Sequence, residues 1–478
     1  MIPSFPEVTQ IPELRKLAYP AYPMSKKTHN LLIKESALIT GDGKTFLDKV
    51  NIVIHDKEIA YVGQEIPSGA TFTHILEGKD KLVLPGIINI HAHGIIPGAP
   101  LFSSASAPLP RDQAKKNLVT HVSQGTTTIL SLDGFAHPGL VSQAKSICPI
   151  NIKTAITHYP KAYLAARKID ASGLKGQREE KVEKIIEHFP NMVVAMGEGG
   201  SGATLGGGVQ DYKFIPEMVK RETGVAIDEY QARRLKEAVL GKKITSNFYD
   251  PERVENVLKE IGLENYSPEW ALDKISQTVL PPFSIALEAL EEGANLAKKY
   301  KLPFIVHTAA ASMTRIEEIS WLGNLLIAGH CNHPSFEMRE GIELIKRLRK
   351  KGAIIDISIF DILDSPEREK ELAFFFAILE AGLADVISTD YGGGNHTPIL
   401  KVLELAIDQR VVTLTQAISL VTRKPLRAIP RLAPGRGAIV HGAVADVVMV
   451  HRSKISQVED IIIEGIPLQL GSGNRSED

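Results

Sequence analysis

Eight short apolar runs recur through the middle of this 478-residue chain, separated by stretches with helical periodicity. The runs are 82–93, 126–132, 152–159, 192–198, 303–308, 325–331, 353–359 and 386–390, and the clearest amphipathic patterns between them are 111–124, 178–189, 284–299, 336–351 and 366–381. A strand that is apolar on both faces must be covered on both faces, which is the situation of a strand in a parallel sheet flanked by helices. Eight such strands are the number that closes a barrel. The expected class is therefore α/β, with a (β/α)8 TIM-like barrel over 85–429.

One connection departs from the pattern. From Gly199 to Leu302 the chain runs far beyond the few residues that usually join such elements. Glycines at 206–208 and helical patterns at 228–240 and 251–261 mark a helical insertion at about 205–282. It leaves the barrel at the end of the fourth strand, so it is expected to act as a lid over the mouth.

The two ends share a different character. Strand patterns at 31–39, 50–55 and 58–62, with a Gly41-Asp42-Gly43 turn, are matched by 438–440, 446–451 and 461–463 near the other terminus. Neither piece has strands enough to stand alone. Segments 29–84 and 430–470 are thus expected to form one discontinuous small β-sandwich domain. Ahead of it, Pro3, Pro6, Pro12, Pro20 and Pro23 make 1–28 an irregular arm.

Charge and cysteine content exclude several partners. Lys and Arg number 55 against 56 Asp and Glu, which gives no electrostatic footprint for nucleic acid or an anionic membrane. Cys148 and Cys331 are the two cysteines, so a disulfide framework and a thiolate zinc site are both out. No apolar stretch reaches the length of a membrane span, and no basic-then-apolar leader opens the chain. The expectation is a cytoplasmic protein with a small-molecule substrate, assembled as a dimer or tetramer of identical chains.

The chemistry lies at the ends of the strands. His91-Ala92-His93 closes the first run, and in a strand residues two apart point the same way. The fourth run ends in Glu198, the fifth in His307, the sixth in His330 and the eighth in Asp390. In a barrel these ends open on one face, where active sites sit. Converging imidazoles and carboxylates suit a metal, and burying them without one would leave polar groups unpaired.

This ordered set resembles the amidohydrolase superfamily, and the likeness covers nearly the whole chain. The local sequences Gly197-Glu198, His307-Thr308, His330-Cys331-Asn332 and Asp390 before a glycine-rich loop look most like enamidase and related cyclic amide hydrolases. Gly435-x-Gly437-Ala438-Ile439 and Ala445-Asp446-Val447-Val448 are similar to the family's returning segment. The resemblance implies two divalent metal ions, zinc in the first place, with iron or manganese also suited to these donors. His91, His93 and Asp390 would hold one, His307 and His330 the other, and Glu198 would bridge them where many relatives use a carboxylated lysine. It implies hydrolysis of a ring amide by a metal-bridging hydroxide, with Asp390 as general base and then acid.

Substrate contacts are sought nearby. His158 closes the third strand as either a substrate contact or a rim histidine. Asn332 and His333 follow the sixth-strand ligand, although Pro334 also suits a turn. Thr308 and Ser312 either bind a ligand or cap the next helix, the cap being the role expected of Ser312. Lys161 is a candidate partner for a substrate carboxylate, and Tyr391 with Gly392–Gly394 forms a loop beside the base. His121, His188 and His451 are expected to be structural. Two alternatives remain: a deaminase of the same superfamily, and a non-catalytic scaffold relative. Such deaminases often carry His-x-x-Glu near the fifth strand, whereas His307 is followed by Thr308, Ala309 and Ala310. Scaffold relatives lack ligands that this chain keeps.

Overall fold

The structure is a computed structural model that describes residues 30–100, 108–170, 180–200, 205, 208–244, 248–360, 362–391 and 397–468. The proposed N-terminal arm, the first glycines of the insertion apart from Gly208, and the loop Gly392–Gly394 lie outside the described residues. The strands near the two ends combine into one sheet. β1 (Asn30–Ile39), β2 (Phe46–His55), β3 (Glu58–Gly63), β4 (His74–Glu77) and β5 (Lys81–Pro85) are joined by β14 (Val447–His451), β15 (Lys454–Ile463) and β16 (Ile466–Leu468). The order is β16-β15-β14-β5-β1-β2-β3, with β4 beside β1, so the C-terminal strands add directly to the edge of the N-terminal ones. Alternation gives this sheet two buried faces. Ile33, Leu38, Ile52, Val83 and Met449 form its own core, while Ile39, Leu84 and Val448 join the core of the barrel helices. The expected strand at 438–440 is a loop, tied in by the Ile439 amide donating to the Thr40 carbonyl at 3.0 Å.

The barrel follows in sequence order: β6 (Ile87–Ala92), β7 (Thr126–Ser131), β8 (Asn151–Ile156), β9 (Val193–Gly199), β10 (Phe304–His307), β11 (Leu326–Gly329), β12 (Ile354–Ser358) and β13 (Val386–Ser388). Neighbours pair in parallel from β6 to β13. Ile88, Ile90, Leu130, Val194, Ile305 and Ile327 fill the interior, and Ile429 and Leu432 pack against them. The seam between β13 and β6 closes through Asn89, whose side-chain amide donates to Thr389 Oγ1 at 2.7 Å and accepts from the Thr389 amide at 3.2 Å. Above it, the Asp390 amide donates to the His91 carbonyl and the His93 amide to the Tyr391 carbonyl.

The apolar run 82–93 is one strand in the sequence reading but two in the fold. β5 pairs antiparallel with β14 and β6 pairs parallel with β7, so Pro85-Gly86 carries the chain from one sheet to the other. Only a residue without a Cβ fits there, because a Cβ at Gly86 would collide with the Thr127 side chain. The insertion is also built differently from expectation. Its helices Glu229–Leu240 and Pro251–Glu260 pack on a single helix, Pro268–Tyr300, which continues into the barrel layer through Pro281 and Pro282. The helix expected at 284–299 is thus the second half of a longer one, which begins at Ser267, whose Oγ accepts from the Trp270 amide. Among the described residues no helix is long and apolar enough to cross a membrane.

Candidate metal centre

All six strand-end residues meet at one end of the barrel. Glu198 lies at the middle. Its Oε1 accepts from His330 Nε2 at 3.0 Å and from His307 Nδ1 at 3.1 Å. It also lies 3.9 Å from His91 Nε2, and its Oε2 is 3.7 Å from His93 Nε2. Asp390 closes the other side, with Oδ1 at 3.1 Å from His91 Nε2 and 3.5 Å from His93 Nε2, and Oδ2 at 4.0 Å from His330 Nε2.

Local structure holds each ligand in place. β6 delivers His91 fully buried, and the turn after His93 is clamped by Asp133, which accepts from the amides of Gly94, Ile95 and Ile96. Asn117 adds a hydrogen bond to the Gly94 carbonyl at 2.6 Å. Behind His330, Asp356 accepts from the His330 amide and from Ser388 Oγ, and its Oδ2 lies 3.6 Å from His91 Nδ1. A carboxylate behind a ligand imidazole selects its tautomer and raises its basicity. The sequence reading passed over Asp356. Its signal is a lone carboxylate inside the apolar run Ile354-Ile355-Asp356-Ile357.

The electrostatics favour anionic carboxylates at the centre. Burial pushes the Glu198 carboxyl up, but its hydrogen bonds from His307 and His330 outweigh this and hold it well below its ordinary value. Asp390 is likewise raised by burial and held well below by the charges of His91 and His330. Burial lowers the His91 imidazole, yet Asp390, Asp356 and Glu198 bring it well above its usual value. His307 goes the other way, lowered by burial and by His330.

This donor set fits a divalent cation. Three triads, His91-His93-Glu198, His91-His330-Asp390 and Glu198-His307-His330, each offer ligand atoms within 4.8 Å of one another. His91 Nδ1 and Nε2, His307 Nε2 and His330 Nδ1 are buried without a hydrogen-bond partner. Buried imidazole nitrogens left unpaired beside ionised carboxylates are what a metal would satisfy.

The outer residues separate into those that reach the site and those that do not. A cavity of about 530 Å³ opens on His307, His330 and Asp390, and Asn332 and His333 line it. Asn332 spends its amide on the strand beside it, donating to the Ser358 carbonyl and accepting from the Ser358 amide, both at 2.8 Å. Thr308 is turned away: it is fully buried, its hydroxyl faces the Val306 carbonyl, and it does not line the cavity. Ser312 stands at the N-cap position of the helix Met313–Glu318, but its side chain makes no capping bond. Its Oγ accepts from the Ala309 amide and donates to the His307 carbonyl, so it ties down the exit of β10. Lys161 pairs with Glu288 at 2.6 Å and does not line the cavity. No described residue of the insertion lines the cavity, so the expected lid is not seen over it.

His158 is 3% exposed, packed between Phe135 and Tyr163, with Nδ1 unpartnered. Burial, with His137 nearby, lowers its pKa to about 4, so it is a neutral imidazole. His121 packs against the ring of Tyr391. His188 sits 3.6 Å from Glu180, and His451 is on β14 of the end sheet.

No family profile matches the chain. By sequence it is 24% identical over 429 residues to a 5'-deoxyadenosine deaminase of Methanococcus aeolicus, an alignment covering 84% of this chain and 82% of that protein. A shorter stretch of 64 residues is 38% identical to a 5-methylthioadenosine/S-adenosylhomocysteine deaminase of Caldanaerobacter subterraneus, covering 13% of this chain and 14% of that one. Among solved structures, a beta-aspartyl dipeptidase from Fervidobacterium islandicum AW-1 has the same fold, with a TM-score of 0.55 at 14% identity over 95% of this chain and 100% of that one.

Proposed function

We propose that the chain is an amidohydrolase-superfamily enzyme that hydrolyses a C–N bond of a small cyclic amide, with Asp390 carrying the proton, a reading supported by the likeness to the deaminase and the dipeptidase above. The observation that carries this reading is Glu198, one carboxylate within 3.9 Å of four imidazoles from three other strands. In this reading His91, His93 and Asp390 would hold one divalent ion and His307 and His330 a second, with the Glu198 carboxylate within reach of either group. Bound there, such ions supply Lewis acidity and the means to activate water near neutral pH. Zinc is the first candidate, with iron or manganese also compatible with imidazole and carboxylate.

The chain's own groups do the rest. Asp390 is ionised and its side chain is 22% exposed on the cavity, so it can accept a proton from the attacking water. Returning that proton to the ring nitrogen lets the nitrogen leave as an amine, since an amide anion is a poor leaving group. Asp390 Oδ1 lies 3.1 Å from His91 Nε2, on the side of the candidate metal ligands, and Oδ2 is the oxygen farther from them, 4.0 Å from His330 Nε2. His158, two residues beyond the end of β8, is neutral but buried and does not line the cavity, so no substrate contact is assigned to it.

A second reading, deamination of a small heterocycle, is favoured by the sequence comparisons, since both relatives above are named as deaminases. Against it, Ala310 stands where the deaminase pattern carries a glutamate, and its amide faces Ser335 Oγ at 2.9 Å. One assay separates the two. Metal-loaded protein is given lactams, imides, cyclic enamides and adenine nucleosides, with ammonia and product mass followed together. Ring opening of a lactam or imide adds one water and releases nothing. A cyclic enamide takes up a second water and loses ammonia as its opened enamine hydrolyses, and is therefore judged by product mass. Deamination of a nucleoside exchanges its amino group for oxygen with release of ammonia. Turnover of nucleosides with ammonia release and no turnover of ring amides would replace the first reading by the second.

A further inference from the structure

The cavity above the metal ligands is asymmetric in charge. Its floor is His307, His330 and Asp390, and its outer wall combines apolar Phe360 and Ile362 with the carboxylates of Asp364 and Glu371. Asp364 is exposed and Glu371 half-buried, accepting from Ser365 Oγ at 2.6 Å. Among the described residues no lysine or arginine lines this cavity. After β6, β9 and β13 the first lysine or arginine comes at Arg111, Lys213 and Lys401, whereas the segment after β12 carries Arg368 and Lys370, neither of which lines the cavity, and Lys370 is paired with Glu367 at 3.2 Å. Two arginines from elsewhere in the chain are held by carboxylates and do not line the cavity. Arg233 is bound by Asp211 and Glu229, both at 3.1 Å, and Arg315 by Glu318 at 2.9 Å. The cavity opens directly on three residues of the candidate metal centre, which makes it the approach to that centre. His307, 6% exposed on its floor, keeps an Nε2 with no partner.

Taking this cavity as the substrate site of the reading above, we propose that it selects substrates that are neutral or carry a protonated amine, and rejects those carrying a carboxylate. The physical reason is direct. A substrate carboxylate pointing outward would be repelled by Asp364 and Glu371, with no lysine or arginine among the cavity's described lining to offset them. A protonated amine at the same place would be paired with both. Phe360 and Ile362 would cover the apolar body of the ring.

The test uses one saturated lactam ring bearing an aminomethyl, hydroxymethyl or carboxylate group at the same position. Binding to the metal-loaded full chain is measured by calorimetry for the wild type, Asp364→Asn, Glu371→Gln and the double variant, with metal content determined in each sample. Asp364 is exposed, so its single variant carries little folding risk, and the amide oxygen introduced by Glu371→Gln can still accept from Ser365. The amine should bind at least about tenfold more tightly than the acid in the wild type. In the double variant the amine should weaken and the acid strengthen, each by about three- to tenfold, with the alcohol unmoved. Equal binding of amine and acid, shifts of the two in the same direction, or no binding of any member would overturn the proposal. Because the readout is binding, the two readings fail separately. A charge order without hydrolysis defeats the cyclic amide reading alone, and hydrolysis without a charge order defeats this one alone.

Discussion

Asp356 offers the sharpest test of how the centre is held. It is fully buried, it lies 3.6 Å behind His91 Nδ1, and it also receives the Ser388 hydroxyl at 2.9 Å and the His330 amide at 3.4 Å. It therefore supports ligands on two different strands from a third. Asp356→Asn keeps the shape and one acceptor oxygen but removes the charge. All three contacts fall on Oδ2, while Oδ1 has no hydrogen-bond partner, so an Asn oxygen can keep them and what is lost is the negative charge behind His91 Nδ1. Losing a carboxylate behind a ligand histidine typically costs ten- to a hundredfold in metal affinity, or about 1.4–2.7 kcal/mol. Zinc affinity is measured by competition with a chromogenic chelator, beside thermal unfolding with and without metal. Ser388→Ala is the control, since it removes one neutral hydrogen bond and should shift zinc affinity by less than about threefold. Zinc affinity of Asp356→Asn within twofold of wild type, in a folded protein, would refute the argument that this carboxylate governs His91.

Other expectations follow from the same geometry. Chelation should abolish turnover and lower the melting temperature, and added zinc, manganese or iron should restore part of both; full activity in demetallated protein would rule out a metal-dependent reaction. Asp390→Asn should lower kcat by roughly 10²–10⁴-fold, with metal content assayed in the same sample because Asp390 also lies against His91 and His93; a near-normal rate would place the proton on another group. His158 is neutral in the fold, its pKa lowered to about 4 by burial and by His137, whereas the unfolded chain protonates near 6.5. As pH falls from above 6.5 towards 4 the unfolded state takes up a proton that the folded state does not, so stability is lost across that window, by about 3 kcal/mol at most. His158→Phe should flatten this part of the stability profile, and an unchanged acid limb would mean that His158 is solvated.

Much of this protein is legible in the sequence for reasons of periodicity. Strands buried on both faces read as apolar runs because both faces must be covered, and all eight barrel strands announce themselves this way. The candidate ligand residues read clearly because parallel topology brings every strand terminus to one face. A histidine or carboxylate closing such a run is therefore placed by the fold without any further contact. His91 and Asp390, 299 positions apart by their numbers, meet for that reason. What the sequence leaves open is decided by contacts with no period. The run 82–93 looks continuous, yet its first part belongs to another sheet because β14 arrives from the far end of the chain to pair with it. Thr308 and Ser312 both look available to a ligand, and only packing turns one inward and ties the other to the β10 exit. Asp356 looks like an anomaly in an apolar strand until His91, His330 and Ser388 surround it. Local pattern specifies which elements form and which residues end them, whereas the partner of a buried polar group is chosen by whatever distant segment the closed barrel brings beside it.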